Sequence, residues 1–185
     1  MQHENELWQE YNKNGARLGS IYPQKSDFND IELFGGTATM FYRFKDGKVE
    51  FLFQHRSKFV DRNPEKWDVS AGGHINFEED VFDAAKREVE EEIGVKIDPS
   101  RLEFSVAYVR PPKNIIYLYF YDLTNEEVEF RFDDKEVSEV KWVAFEDLVK
   151  FWSNLKTNLQ DDAIFQNQLL EWTRITRKKH EHIDK

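Results

Sequence analysis

The sequence predicts an α+β domain built on a mixed sheet, and three observations lead there. Strand-length runs rich in apolar residues recur along the chain, whereas only two stretches, 81–93 and 160–182, carry long helical patterns. One run, Ile115-Ile116-Tyr117-Leu118-Tyr119-Phe120-Tyr121, is apolar on both faces, which suits a strand covered on two sides. Many strands with one central and one late helix make an α+β or mixed-sheet sandwich. At 185 residues the chain can bury a substantial core. A single domain is expected, with a cap over 1–34, a core over 35–152 and a helical segment over 153–185.

In the cap, Leu7, Trp8 and Tyr11 can pack as one helical face or as a short strand, and Asn14-Gly15 and Tyr22-Pro23 are turn signals. Runs at 37–44 and 49–55 flank Lys45-Asp46-Gly47-Lys48, whose Asp-Gly pair predicts a tight hairpin. Residues 56–66, polar and basic around Asn63-Pro64, read as a loop, and Trp67 to Ala71 as a short strand running into Gly72-Gly73. Strands at 101–109 and 114–123 are separated by Pro111-Pro112. Residues 124–138 alternate acids with aromatics and read as a strand and a mobile loop. A strand at 137–143 and a short helix near 145–152 follow. In the last helix Ile164, Leu169, Leu170, Trp172 and Ile175 are available to pack, and the basic stretch from Arg174 to Lys179 is expected to fray.

The central helix carries the chemistry. Asp80 reads as its N-cap and Gly94 as its C-terminal stop. At about 100° per residue, Glu88, Glu91 and Glu92 share one arc, beside the apolar stripe of Val81, Ala85, Val89 and Ile93. Like charges at this spacing repel by roughly 0.2–0.5 kcal/mol per pair. In the last turn they also face the negative end of the helix dipole. A ligand that repairs both faults is a divalent cation, which prefers oxygen donors. Gly72-Gly73 at the strand exit allows a sharp turn and lets a backbone carbonyl approach a ligand. Arg87 stands four residues before Glu91 and can also reach back to Glu79, bracing loop against helix. The plain alternative is a solvated acidic helix face.

Gly73, Glu79, Arg87, Glu88, Val89, Glu91, Glu92, Gly94 and Val95 fill, without a gap, a pattern that resembles the signature of the Nudix hydrolases. The wider resemblance runs from about Gly35 to Leu148, with Glu139 to Val143 and Phe145 to Leu148 similar to the family's closing strand and helix. The resemblance implies a Nudix α/β/α sandwich with a central signature helix, and hydrolysis of a diphosphate linkage with Mg²⁺ or Mn²⁺. It implies metal binding by Glu88, Glu91 and Glu92, joined by the Gly73 carbonyl, with Glu79 and Arg87 as structural braces. The general base stays open among Glu91, Glu92 and an acid of the later loop, where Glu136 is preferred over Asp133, Asp134 and Glu139. Many relatives carry glycine just before the loop glutamate, where this chain has Glu78. That departure bears on loop shape.

Arg56 and Lys58 follow the second strand of the hairpin and are candidates to hold a distal phosphate. Arg110 and Lys113 invite the same reading. His74 either touches a phosphate or a metal or holds the loop by a hydrogen bond, and Phe77 reads as a packing residue in preference to a substrate contact. Two other functions compete. A non-catalytic Nudix-fold module would bind a nucleotide or protein without turnover, although such modules commonly lose signature glutamates. The layout is also similar to isopentenyl-diphosphate isomerases, but the place of their catalytic cysteine is Gly72 and residues 20–40 hold no histidine.

Composition narrows the field. The chain has no cysteine, which removes disulfides, thiolate metal sites and cysteine nucleophiles and fits a cytoplasmic protein. A net charge of −10 argues against nucleic acid as the main partner. No apolar run approaches membrane-spanning length, and Met1 to Glu6 do not resemble a basic apolar leader. The expected partner is a small-molecule diphosphate substrate. A homodimer is a further expectation, because many relatives dimerise.

Overall fold

The computed structural model describes residues 7–21, 30–133, 135–154, 159 and 161–181. The expected turn at Tyr22-Pro23, Asp134 of the acidic loop and the first six residues lie outside them. The sheet is organised by a hairpin of β3 (Leu33–Lys45) and β4 (Lys48–Arg56). Asp46 and Gly47 close it with φ of 50° and 75°, the doubly left-handed turn that an Asp-Gly pair favours. The two strands pair only near the turn, from Lys45↔Lys48 to Tyr42↔Phe51, and then diverge.

A wedge fills the gap. β5 (Trp67–Asp68) pairs with β4 at Gln54 and His55. The chain then crosses to β3, meeting it at Thr39↔Ala71 and Gly36↔His74, and reaches Trp8 at Asn76. Ser70 sits at the fork and is fully buried. Its hydroxyl accepts the Phe41 N–H at 2.8 Å and donates to the Leu52 carbonyl at 2.6 Å. It thereby satisfies two backbone groups where the β3–β4 ladder ends. This crossing explains why the regular strand stops at Asp68 instead of running to Ala71.

The other edge of β3 carries β7 (Asn114–Asp122) in parallel from Phe34↔Asn114 to Tyr42↔Asp122. β6 (Glu103–Arg110) closes an antiparallel hairpin onto β7, so the doubly apolar run is an interior strand. β8 (Val137–Ala144) lies along the far edge of β4. β1 (Trp8–Tyr11) and β2 (Arg17–Ile21) extend the sheet beyond the start of β3. The Leu7 to Tyr11 region is therefore a strand.

Alternation along the strands sorts the core into two layers. Phe41, Leu52, Tyr119 and Tyr121 face Ala85, Val89 and Ile93 of α1 (Val81–Ile93). Met40, Tyr42, Phe51, Phe53, Leu118 and Phe120 face the opposite side. There they meet Leu148 and Phe151 of α2 (Leu148–Asn154), and Phe165 and Leu169 of α3 (Ala163–Glu181). Full burial of each large apolar side chain is worth about 1.5–3 kcal/mol. Both covered faces give the mixed sheet its helix–sheet–helix layering.

Two further expectations are corrected. Residues 124–132 form no regular strand; Val128, Phe130 and Phe132 pack against the α1 layer, and the Arg131 N–H closes onto the Ile93 carbonyl at 3.0 Å. The basic stretch from Arg174 to Lys179 stays helical. Arg177 pairs with Glu146, Lys179 approaches Glu103 at 3.5 Å, and His180 stacks on Phe44 at 4.2 Å. Among the described residues no helix is long and apolar enough to cross a membrane.

Candidate active site

The wedge delivers Gly73 against α1. The helix starts at Asp80, whose carboxylate accepts the Phe82 N–H at 2.8 Å, and ends at Gly94 in the left-handed region at φ 70°. Packing of Ala85, Val89 and Ile93 on the sheet sets its rotation, so that Glu88 and Glu92 point at the wedge. A Cβ on Gly73 would stand 2.3 Å from the Glu88 carboxylate, closer than any side chain tolerates. The Gly73 carbonyl accepts the Thr37 N–H at 2.9 Å.

The three helix glutamates differ in environment. Glu92 is 3% exposed, and its Oε2 accepts the Gly72 N–H at 2.7 Å and Gln54 Nε2 at 3.0 Å. The Glu88 side chain is 13% exposed and is held by Arg87 Nη1 at 2.8 Å. Glu91 is 54% exposed and accepts from the same nitrogen at 3.0 Å. Burial pushes the Glu88 carboxyl up to about 7, with Arg87 opposing and the charges of Glu91 and Glu136 adding to the rise. Burial raises Glu92 well above the usual carboxylate range, aided by Glu88 and Glu136 and opposed by the Gly72 N–H and Arg56. A buried Glu92 and a half-buried Glu88 whose charge acts on it, with Glu136 acting on both, form a site short of positive charge.

Arg87 ties the loop to the helix. It grips Glu79 through Nε–Oε1 at 2.8 Å and Nη2–Oε2 at 3.0 Å, and Nη2 also donates to the His74 carbonyl at 2.9 Å. Burial works against its charge. The hydrogen bonds it donates to Glu79 and the charges of Glu88 and Glu79 outweigh that and hold the guanidinium's pKa above its usual value. Glu79 further accepts the Asn76 N–H at 2.9 Å.

The N-terminal strands pin this loop from outside. Gln9 N–H bonds the Ile75 carbonyl, Phe77 N–H bonds the Leu7 carbonyl, and Arg17 Nη2 bonds the Glu79 carbonyl at 2.7 Å. Gln9 is 2% exposed and its Oε1 accepts the Glu78 N–H at 3.2 Å. Glu78 has φ of 65°, the conformation for which glycine is suited. The loop therefore keeps a glycine-type backbone with a glutamate in it.

The remaining candidates disperse. Arg56 lies at the end of β4, where its charge reaches Glu92 and its Nε donates to the Arg62 carbonyl at 3.2 Å. Glu136 precedes β8, and its carbonyl accepts the Ser57 N–H at 2.7 Å. Lys58 is exposed, with its ammonium over the Phe59 ring at 5.0 Å. The His74 ring stacks on Trp8 at 3.5 Å, and Arg62 lies 5.8 Å from that indole. Phe77, expected to pack, is 37% exposed. Gln54 and Ser70 escaped the sequence reading, although Gln54 is the one amide following the apolar run Phe51-Leu52-Phe53.

All the donors at hand are oxygens, as a hard cation requires. The close approach of Gly73 to Glu88 and the paired burial of Glu88 and Glu92 fit such an ion. Among the described residues, however, no three His, Asp or Glu side chains stand gathered as a ready cage. Glu91 is turned to Arg87 instead.

The NUDIX domain family model matches residues 35–172, from within β3 to the middle of α3. The chain belongs to the Nudix family. Nudix hydrolase 3 of Arabidopsis thaliana is 28% identical over 152 residues, covering 76% of this chain and 19% of that protein. Across the first such relatives this chain spans 19% to 64% of their length. The Nudix fold is equally plain in solved structures. DR0079 of Deinococcus radiodurans superposes with a TM-score of 0.67 at 17% identity, over 87% of this chain and 98% of that one. The Ap4A hydrolase of C. elegans gives 0.56 at 22% identity, over 77% and 96%.

Proposed function

We propose that this Nudix chain hydrolyses a diphosphate linkage, in a nucleoside diphosphate joined to another moiety or in a related organic diphosphate, with Mg²⁺ or Mn²⁺. The observation that carries the reading is Glu88 against Gly73 beside the buried Glu92, with the charge of Glu136 acting on both. Glu88 and Glu92 would hold the cation, with Glu91 released from Arg87 and the Gly73 carbonyl beside them. The cation, when bound, supplies charge to the phosphoryl oxygens and acidifies water. One of Glu91, Glu92 and Glu136 orients the attacking water and takes its proton. Arg56, at the mouth of β4, holds a phosphate, with Lys58 farther out. Arg87 and Glu79 keep the loop in place and handle no proton. Arg87 is charged at every accessible pH. His74 acts through its carbonyl on Arg87, its ring being committed to Trp8.

The name of the C. elegans neighbour, an Ap4A hydrolase, gives nucleotide derivatives first place among substrates. The test is incubation with nucleoside triphosphates, nucleotide sugars, dinucleoside polyphosphates and prenyl diphosphates, with and without Mg²⁺. Cation-dependent release of phosphate or monophosphate products is expected. Binding without turnover across the panel would leave a binding module instead, and a rearranged prenyl diphosphate would mean an isomerase.

A further inference from the structure

β4 sends one polar side chain into the space between the sheet and α1. Gln54 is 1% exposed and lies between Asp68 of β5 and Val140 of β8 in the ladder. Its Nε2 donates to Glu92 Oε2 at 3.0 Å, the oxygen that also accepts the Gly72 N–H at 2.7 Å. Its own Oε1 is buried without a hydrogen-bond partner. A buried amide normally satisfies both ends. This one leaves an end unpaired while the other holds a carboxylate. Both donors grip Oε2, and Oε1 of Glu92 accepts no hydrogen bond from the described residues.

We propose that Gln54 is a positioning residue for Glu92. Gripped at Oε2 from the strand and from the wedge, the carboxylate cannot swing, and Oε1 is the oxygen presented, together with Glu88, to a divalent cation. The idea rests on the cation site proposed above and adds a residue outside the signature to it. Partners that orient a metal-binding side chain typically change metal affinity by about 10–100-fold when removed. Arg56, two residues farther along β4, has its charge on Glu92 as well, so this one strand supplies both a neutral grip and a positive charge.

The experiment is Mn²⁺ binding to the full chain by calorimetry, without substrate, for wild type, Glu92→Gln, Gln54→Met and the double variant. Melting temperatures are taken in EDTA. The expected result is a roughly 10–100-fold weaker Mn²⁺ affinity in Gln54→Met, with a melting temperature in EDTA no lower than wild type. Adding Gln54→Met to Glu92→Gln should weaken binding no further. Wild-type affinity in Gln54→Met, alongside a loss in Glu92→Gln, would overturn the positioning role and leave the cation site standing. Additive losses in the double variant would also overturn it. Absence of Mn²⁺ binding to the wild type would instead sink the cation site itself. If Gln54→Met does not fold, Gln54→Asn, whose amide falls one methylene short of Glu92, reads the same quantity with the same expected loss.

Discussion

Arg87 and Glu79 meet through two parallel hydrogen bonds, Nε to Oε1 at 2.8 Å and Nη2 to Oε2 at 3.0 Å, which lock the signature loop onto the helix that follows it. Their side chains are 26% and 16% exposed, so the pair is largely out of water. Arg87→Ala would leave Glu79 and Glu88 without this guanidinium and remove its hydrogen bond to the His74 carbonyl. The expected loss is about 3 kcal/mol, the low end for breaking a buried pair. At this chain length that is roughly 6–12 °C in melting temperature. Activity should fall with it. An unchanged melting point would remove the bracing role.

Gly73 separates folding from chemistry in another way. An alanine there must push the Glu88 carboxylate aside, and that group is the movable end of a side chain. Gly73→Ala should therefore fold, with a melting temperature in EDTA within a few degrees of wild type, while Mg²⁺ and Mn²⁺ affinity drops at least tenfold, the scale of a disturbed ligand shell. Unaltered Mn²⁺ affinity, read by titration calorimetry, would mean that Glu88 does not bind the ion in the position seen here.

A cation that binds only the folded chain stabilises it by mass action, by about 2.7 kcal/mol at a hundred times its dissociation constant. Mg²⁺ should raise the melting temperature of the wild type. Replacing Glu88, Glu91 and Glu92 together by Gln should abolish that rise. It should also raise the melting point measured in EDTA, because the self-repelling cluster is gone. A surviving Mg²⁺ shift in the triple variant would place the ion elsewhere.

In EDTA, stability should also depend on pH through the buried acids. Glu88 has an ordinary value of 4.5 and about 7 in the fold, so folding favours its protonated form. Below pH 4.5 it is protonated in both states and costs nothing. Between 4.5 and 7 the unfolded chain releases the proton first, so stability falls as pH rises, and above 7 the full penalty remains. Glu92 shifts in the same direction. Melting curves of wild type and of Glu88→Gln/Glu92→Gln, compared across this range, should diverge in the variant's favour as pH increases. Parallel curves would contradict the burial of these acids as charged groups in the metal-free fold.

Local signals were legible in the sequence. Asp80 and Gly94 bound α1, and Asp46-Gly47 closes the hairpin, because each acts on its own backbone. What stayed hidden depends on partners distant in sequence. Trp67 to Ala71 reads as one strand, but the divergence of β3 and β4 makes it cross between them, with Ser70 at the fork. The acidic, aromatic stretch after Leu123 alternates like a strand, yet its aromatics are spent on the α1 layer. The basic end of α3 is held by Glu146, Glu103 and Phe44, none of which its own composition announces. At the site, the spacing of Glu79, Arg87 and the helix glutamates was readable, but their unequal burial was not. Glu88 and Glu92 turn inward, while Glu91 stays at the surface beside Arg87. The N-terminal strands read as a cap, and in the fold they hold the signature loop through Leu7, Gln9 and Arg17.

The most direct test of the account is turnover of a diphosphate substrate by Glu92→Gln in saturating Mg²⁺, with the melting temperature in EDTA measured on the same sample. Glutamine keeps the shape and removes the charge that is buried against Glu88. The account predicts a fall in turnover of at least about a hundredfold, equivalent to roughly 2.7 kcal/mol of transition-state stabilisation, with a melting point equal to or above wild type. Wild-type turnover in Glu92→Gln would contradict it.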